Sequence, residues 1–127
     1  MIRSTFVVLS QWVVEDKLTW WLISIYNILE KIISSKYPIK IPSLYMTSFI
    51  ERNKTDKVIV ELECKLLNND KILSINKLEL DFKNDLRHKR INVFHDINIE
   101  ESWNLSVSLF YEWKEINRYS IFLEEKK

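Results

Sequence analysis

From residue 57 almost to the end of the chain, apolar and polar positions alternate with a period of two. Val58, Val60, Leu62, Cys64 and Leu66 fall on one side, and Glu61, Glu63 and Lys65 on the other. Successive side chains of an extended strand point to opposite faces, so this pattern predicts a half-buried strand. Asn68-Asn69-Asp70 follows and reads as a hairpin turn made without glycine. The return strand begins near Lys71. Its apolar set changes parity, from Leu73 and Ile75 to Leu78, Leu80 and Phe82, as a β-bulge at Asn76-Lys77 would make it do. Residues 84–90 are polar and read as a loop. Ile91, Val93, Ile97 and Ile99 then share a face, with His95 among them. In the next segment Trp103, Leu105, Val107, Leu109, Tyr111 and Trp113 share a face opposite Asn104, Ser106, Ser108 and Glu112, so these aromatics are expected to pack inward. A last strand turns Tyr119, Ile121 and Leu123 inward, and residues 124–127 form a solvated tail.

The first third is less regular. Residues 5–14 are rich in β-branched and aromatic side chains and predict a strand. Residues 17–36 fit two patterns. As a helix, Leu18, Trp21, Leu22, Ile25, Leu29 and Ile32 form one stripe behind an Asp16 N-cap. As a strand, Trp20, Leu22 and Tyr26 alternate with Trp21, Ile23 and Ile25. Length favours the helix, and β-branched and aromatic content favours the strand. Pro38 and Pro42 bracket Ile39-Lys40-Ile41 and suggest an extended connection, with a further strand over 44–50.

These elements predict a mainly β fold: an antiparallel, immunoglobulin-like β-sandwich of about seven or eight strands, with room for one short helix near residues 29–35. Each strand has one apolar face to bury, and two packed sheets are the natural way to bury it. A length of 127 residues suits a single domain over 1–127.

The order of elements also resembles a family of small, uncharacterised bacterial β-sandwich domains. The resemblance rests on Glu15-Asp16-Lys17-Leu18 leading into the aliphatic run Ile23-Ser24-Ile25-Tyr26-Asn27-Ile28. A proline-containing link follows at Tyr37-Pro38 and Ile41-Pro42, then a long hairpin over 57–82 and a final hairpin within 91–123. It implies fold alone. It favours a strand at Ile23 to Ile28 and confines any helix to 29–35.

Composition narrows the functional classes. The chain has no glycine and no alanine. A phosphate cradle, a dinucleotide fingerprint and a nucleophile elbow each need glycine at a fixed backbone position, so all three are excluded. Positions with positive φ should fall to Asn or Asp. Charge is balanced at a formal +1, so no global field draws the chain to nucleic acid. The single cysteine, Cys64, sits on an apolar strand face and reads as a buried thiol in a reducing, cytoplasmic setting. The most apolar window, residues 18–29, is too short and too polar to span a bilayer, and no membrane partner is expected.

Candidate chemistry is sparse. His95 reads as a core or rim histidine, and no cofactor or metal set is expected, since strand neighbours His95 and Asp96 point to opposite faces. Carboxylate pairs such as Glu100-Glu101 read as solubilising charge. The aromatics carry more information. Phe110 and Phe94 fall on the wrong parity for the core, and adjacent Trp20 and Trp21 cannot both face inward on a strand. Outward aromatics on a sheet serve as protein-interface anchors, unless a second layer covers them. The leading expectation is therefore a non-enzymatic adaptor that binds a protein, or itself, through Trp20, Trp21, Phe94 and Phe110. Its size and AT-rich composition match bacterial and phage-encoded domains, some of which act in defence or counter-defence. The alternative is single-stranded nucleic-acid binding on an aromatic face, with Arg87, His88, Lys89 and Arg90 at the phosphates; as a bland reading, that cluster is a solvated loop.

Overall fold

The computed structural model describes residues 1–16 and 22–126. Within them the chain forms nine strands and no helix. The strands are β1 (Arg3–Glu15), β2 (Ile23–Ile28), β3 (Lys31–Ser34), β4 (Ile39–Glu51), β5 (Ile59–Asn68), β6 (Lys71–Asp81), β7 (Arg87–Ile99), β8 (Trp103–Tyr111) and β9 (Lys114–Glu125). They make two sheets, one of four strands in the order β2-β1-β4-β7 and one of five in the order β3-β9-β8-β5-β6. All pairings are antiparallel except β3 with β9, which is parallel.

The predicted alternation holds over residues 60–66, whereas Val58, expected on the same face, precedes β5 and is 42% exposed. Val60, Leu62, Cys64 and Leu66 are at most 3% exposed, and they face Leu9, Leu44, Met46 and Ile50 of the other sheet across one continuous core. Leu105, Val107 and Leu109 join it from β8, and Ile121 and Leu123 from β9. On the outer face of β8, Ser106 and Ser108 are also fully buried. Ser106 Oγ meets Ser120 Oγ at 2.8 Å, and Ser108 donates to the Glu115 carboxylate. Small hydroxyls satisfied by neighbours let this outer face close without apolar bulk.

The structure corrects several expectations. Residues 29–35 contain no helix: Lys31–Ser34 is a strand, because the open edge of β9 offers its backbone a ladder that an isolated helical turn could not match. The strand count is nine, since residues 39–41 belong to β4 and not to a connection. Pro42 is tolerated inside β4 because β1 pairs with β4 only as far as Ser10↔Tyr45, so beyond that point one side of β4 has no ladder to lose. The β5–β6 register slips between Leu66↔Ser74 and Leu67↔Ile72, so the bulge lies at Leu73 and not at Asn76-Lys77. In consequence Ile75 points outward, 51% exposed. In β7, Asp96 adopts a left-handed φ of 51°, and the buried row changes parity there, from Phe94 to Ile97 and Ile99. Ile91 and Val93 therefore do not share the core face with Ile97 and Ile99.

Two tryptophans predicted to be core are the most exposed large hydrophobic side chains among the described residues. Trp103 is 68% exposed and Trp113 94%. Trp103 opens β8 at φ 113°, and Trp113 sits in the two-residue turn between Tyr111 and Lys114. Both central residues of that turn, Glu112 (φ 49°) and Trp113 (φ 70°), are left-handed, the signature of a type I′ hairpin. Asn27, Asn69 and Asp96 take positive φ as expected, but so do Lys83, Trp103, Glu112 and Trp113. With no glycine available, side chains with a real steric penalty occupy these positions.

Two outcomes follow from this packing. Burial pushes the Cys64 thiol up to about 12, so iodoacetamide should leave it unmodified in native protein and alkylate it fully in guanidinium, as read by intact mass. Rapid alkylation of the folded chain would show that β5 is not packed as described. Replacing Glu112-Trp113 by Asn-Gly should raise stability by about 1 kcal/mol, or about 4 °C in melting temperature. A lower midpoint would mean that Trp113 contributes contacts to the folded state.

Candidate functional site: the β1–β2 hairpin and the groove beneath it

β1 leaves its partner β4 after Ser10 and continues as one arm of a hairpin, with Trp12↔Tyr26, Val13↔Ile25, Val14↔Ser24 and Glu15↔Ile23 in register. The hairpin returns across the outer face of the four-stranded sheet. Glu15 near its far end reaches Lys89 of β7 at 3.3 Å, and Trp12 meets Tyr45 of β4 edge-on at 5.6 Å. Val8 and Thr47, which lie on that outer face, are 7% and 0% exposed. Val13, Ile23 and Ile25 are half-buried, whereas Trp12, Val14, Leu22, Tyr26 and Ile28 are each 42–53% exposed. Among its described residues the hairpin thus carries five large apolar side chains open to solvent. None of the described residues of 10–28 contributes to the hydrophobic core cluster. The hairpin closes on itself at its base, where Leu29 N–H donates to the Leu9 carbonyl at 2.9 Å.

Beneath the hairpin's far end lies an open groove of ≈ 880 Å³. Ile23, Phe49 and Leu86 supply apolar wall, and Glu51, Arg87 and Lys89 supply charge. Phe49 stacks on Phe6 with ring centroids 5.0 Å apart. The charges are internally matched. Arg87 Nε lies 3.1 Å and Arg3 3.0 Å from the Glu51 carboxylate, and Lys89 lies by Glu15. Asp85 also lines the groove, which therefore presents hydrophobic surface ringed by charges of both signs, not a field of one sign.

The four basic candidates do not form one patch. Residues 87–90 lie in β7 rather than a loop, so alternation sends Arg87 and Lys89 to the outer face and His88 and Arg90 to the inner. His88 packs edge-on against Phe82 at 5.6 Å, and the buried Arg52 lies over the other part of that ring, 5.7 Å from its centroid. Arg52 Nε donates to the Asp85 carbonyl at 2.9 Å and its backbone N–H to the Leu86 carbonyl, which ties the β6–β7 loop to β4. Among the described residues, Arg90 Nε and Asn92 Nδ2 are buried without hydrogen-bond partners.

The aromatic candidates divide as well. Phe94 is 2% exposed and belongs to the core, because Leu44 of β4 opposes it in the inward row; it cannot serve as a surface anchor. Phe110 does lie on the outer face of the five-stranded sheet. Lys65 Nζ sits 4.6 Å over its ring, and a smaller groove of ≈ 310 Å³ joins it to Trp113. Trp20 and Trp21 fall outside the described residues; in sequence they lie between β1 and β2. Sequence reasoning missed Trp12 and Tyr26. Their shared parity was readable, but parity alone does not say which face a neighbouring layer covers. His95 is exposed on the outer side of β7 and not a core or rim residue. Among the described residues no three His, Cys, Asp or Glu side chains cluster as a metal set, and no helix is long and apolar enough to cross a membrane. Comparison with protein-family models and with curated proteins returns no match.

Burial holds His88 below the usual imidazole range, outweighing its hydrogen bond with Lys89 and the pull of Asp81. Below about pH 6.5 the unfolded chain takes up a proton that the native imidazole refuses. Stability is therefore complete above that pH and falls as the pH drops toward the folded value. The melting temperature should decline between pH 7 and 5, and His88→Leu should flatten that decline. Asp56 and Glu115, whose pKa values are lowered by hydrogen bonds, act in a separate window below pH 4.5. A decline that survives in His88→Leu would place its origin elsewhere.

Proposed function

We propose that this chain is a non-enzymatic protein-interaction module and that its partner docks on the exposed strip of the β1–β2 hairpin. The observation that carries this reading is the division of labour in the chain. Among the described residues of 10–28 none belongs to the hydrophobic core cluster, yet they hold Trp12, Val14, Leu22, Tyr26 and Ile28 about half exposed. Apolar surface gathered on an element the core does not need marks a contact site, because leaving it in water costs free energy that folding does not recover.

Strand order supports the finer reading of the sandwich as immunoglobulin-like. β1, β4 and β7 form one sheet and β9, β8, β5 and β6 the other, an arrangement matching the A-B-E and G-F-C strands of that fold with one added edge strand. On this reading the first strand switches sheets, pairing with β4 as β1 and with β9 as β3. The β1–β2 hairpin is then an insertion at the switch point. Nucleic-acid binding is the weaker reading, since Arg87 and Lys89 face carboxylates and His88 and Arg90 face inward.

A photo-crosslinking phenylalanine analogue placed at Trp12 or Tyr26 in the native cell tests the proposal. A discrete cross-linked protein species is expected from either position, and none from exposed Glu79 on β6. The absence of any species from both hairpin positions would overturn it.

A further inference from the structure

The same hairpin indicates which partner fits it. β2 is the terminal strand of its sheet and has one strand neighbour, β1. Its outer edge runs alongside the apolar strip. The strip itself, Trp12, Val14, Leu22, Ser24, Tyr26 and Ile28, carries no charge, so it offers nothing to steer or select an acidic or basic partner. The chain as a whole carries a formal +1, so two copies repel each other little.

The area is of the right size. At 42–53% exposure, the five apolar side chains leave roughly 400 Å² per copy in water. A stable interface covers about 800 Å² per partner, about 65% of it apolar in homodimers. The strip alone supplies most of that apolar share. A row of uncharged side chains beside an open strand edge is also self-complementary under a two-fold axis. A two-fold axis running through the strip would lay strip against strip, face to face.

The geometry points to a second copy of this chain as the occupant, in a two-fold dimer built on the β1–β2 hairpin. This inference rests on the hairpin being the contact site, as proposed above. The dimer removes Trp12 and Tyr26 from water, leaving the groove beside Phe49 and the Phe110–Trp113 face outside the interface.

Light scattering and sedimentation of the purified chain test it over 1–100 μM. A species of twice the 15.4 kDa chain mass is expected. The variant Trp12→Glu/Tyr26→Glu should run as a monomer, with its dissociation constant weakened at least 100-fold. Trp113→Ser, which removes the most exposed tryptophan on the opposite sheet, should remain dimeric. The circular dichroism spectrum of the double variant reports whether it folds. If it does not, Leu22→Ser with Tyr26→Ser replaces it. A wild-type monomer at 100 μM, or a dimer that survives in the folded hairpin variants, overturns the inference. Cross-linking from positions 12 and 26 separates the two claims. A product of another mass removes the dimer and keeps the contact site, and no product removes both.

Discussion

Two facing rows of aliphatic side chains hold this molecule together. Leu9, Leu44, Met46 and Ile50 of the four-stranded sheet meet Leu62, Leu66, Leu105 and Val107 of the five-stranded sheet, each at most 1% exposed. Full burial of such a side chain contributes about 1.5–3 kcal/mol, and no disulfide supplements it, because the one cysteine is itself part of the packed row. Every surface feature is positioned by this contact. It fixes which face of β7 carries Lys89 and which carries His88, and it leaves β1 free to depart from the sheet once Leu9 has been buried.

A chain without glycine meets the geometry of hairpins and bulges with strained side chains. Glu112 and Trp113 share a left-handed turn, and Asp96 reverses the buried row of β7 from a left-handed position. The second case has structural value. The kink lets Phe94 and Ile97 both reach the core, and it moves His95 outward. The first leaves a tryptophan almost wholly in solvent beside Phe110 and its overlying lysine. Strain of this kind persists only where the surrounding ladders over-determine the backbone, as the β8–β9 register does here.

The β1–β2 hairpin stands apart from that economy. Its base is pinned by the Leu29 to Leu9 hydrogen bond and its far end by the Glu15–Lys89 pair, with Trp12 against Tyr45 between them. These contacts, together with half-buried Val13, Ile23 and Ile25, hold a two-stranded ribbon that would be marginal alone in water. The arm is thereby placed as an apolar platform over the sheet, with a groove beneath its end. An interface gains from such placement because ordering is largely complete before the partner arrives.

How much of this was legible beforehand can be traced residue by residue. The period-two rows of β5, the lower part of β6 and the interior of β8 follow from sequence, because a strand has only two faces and one must be apolar. The same logic gave two sheets. It failed at Leu73, Asp96 and Trp113, where a bulge or a left-handed residue resets the parity, and a pattern of alternating letters carries no mark of where that happens. It left 29–35 open to helix, because the edge of β9 that captures Lys31–Ser34 lies some ninety residues away. It placed Phe94 outside and overlooked Trp12 and Tyr26 for one shared reason. Alternation determines which side chains lie together on a face, whereas the layer that covers or spares that face is decided only when distant strands pack. Sequence by itself therefore determined the composition of each face only between the bulges and left-handed residues that reset the parity. Tertiary structure alone decided which faces became core and which were left open to solvent.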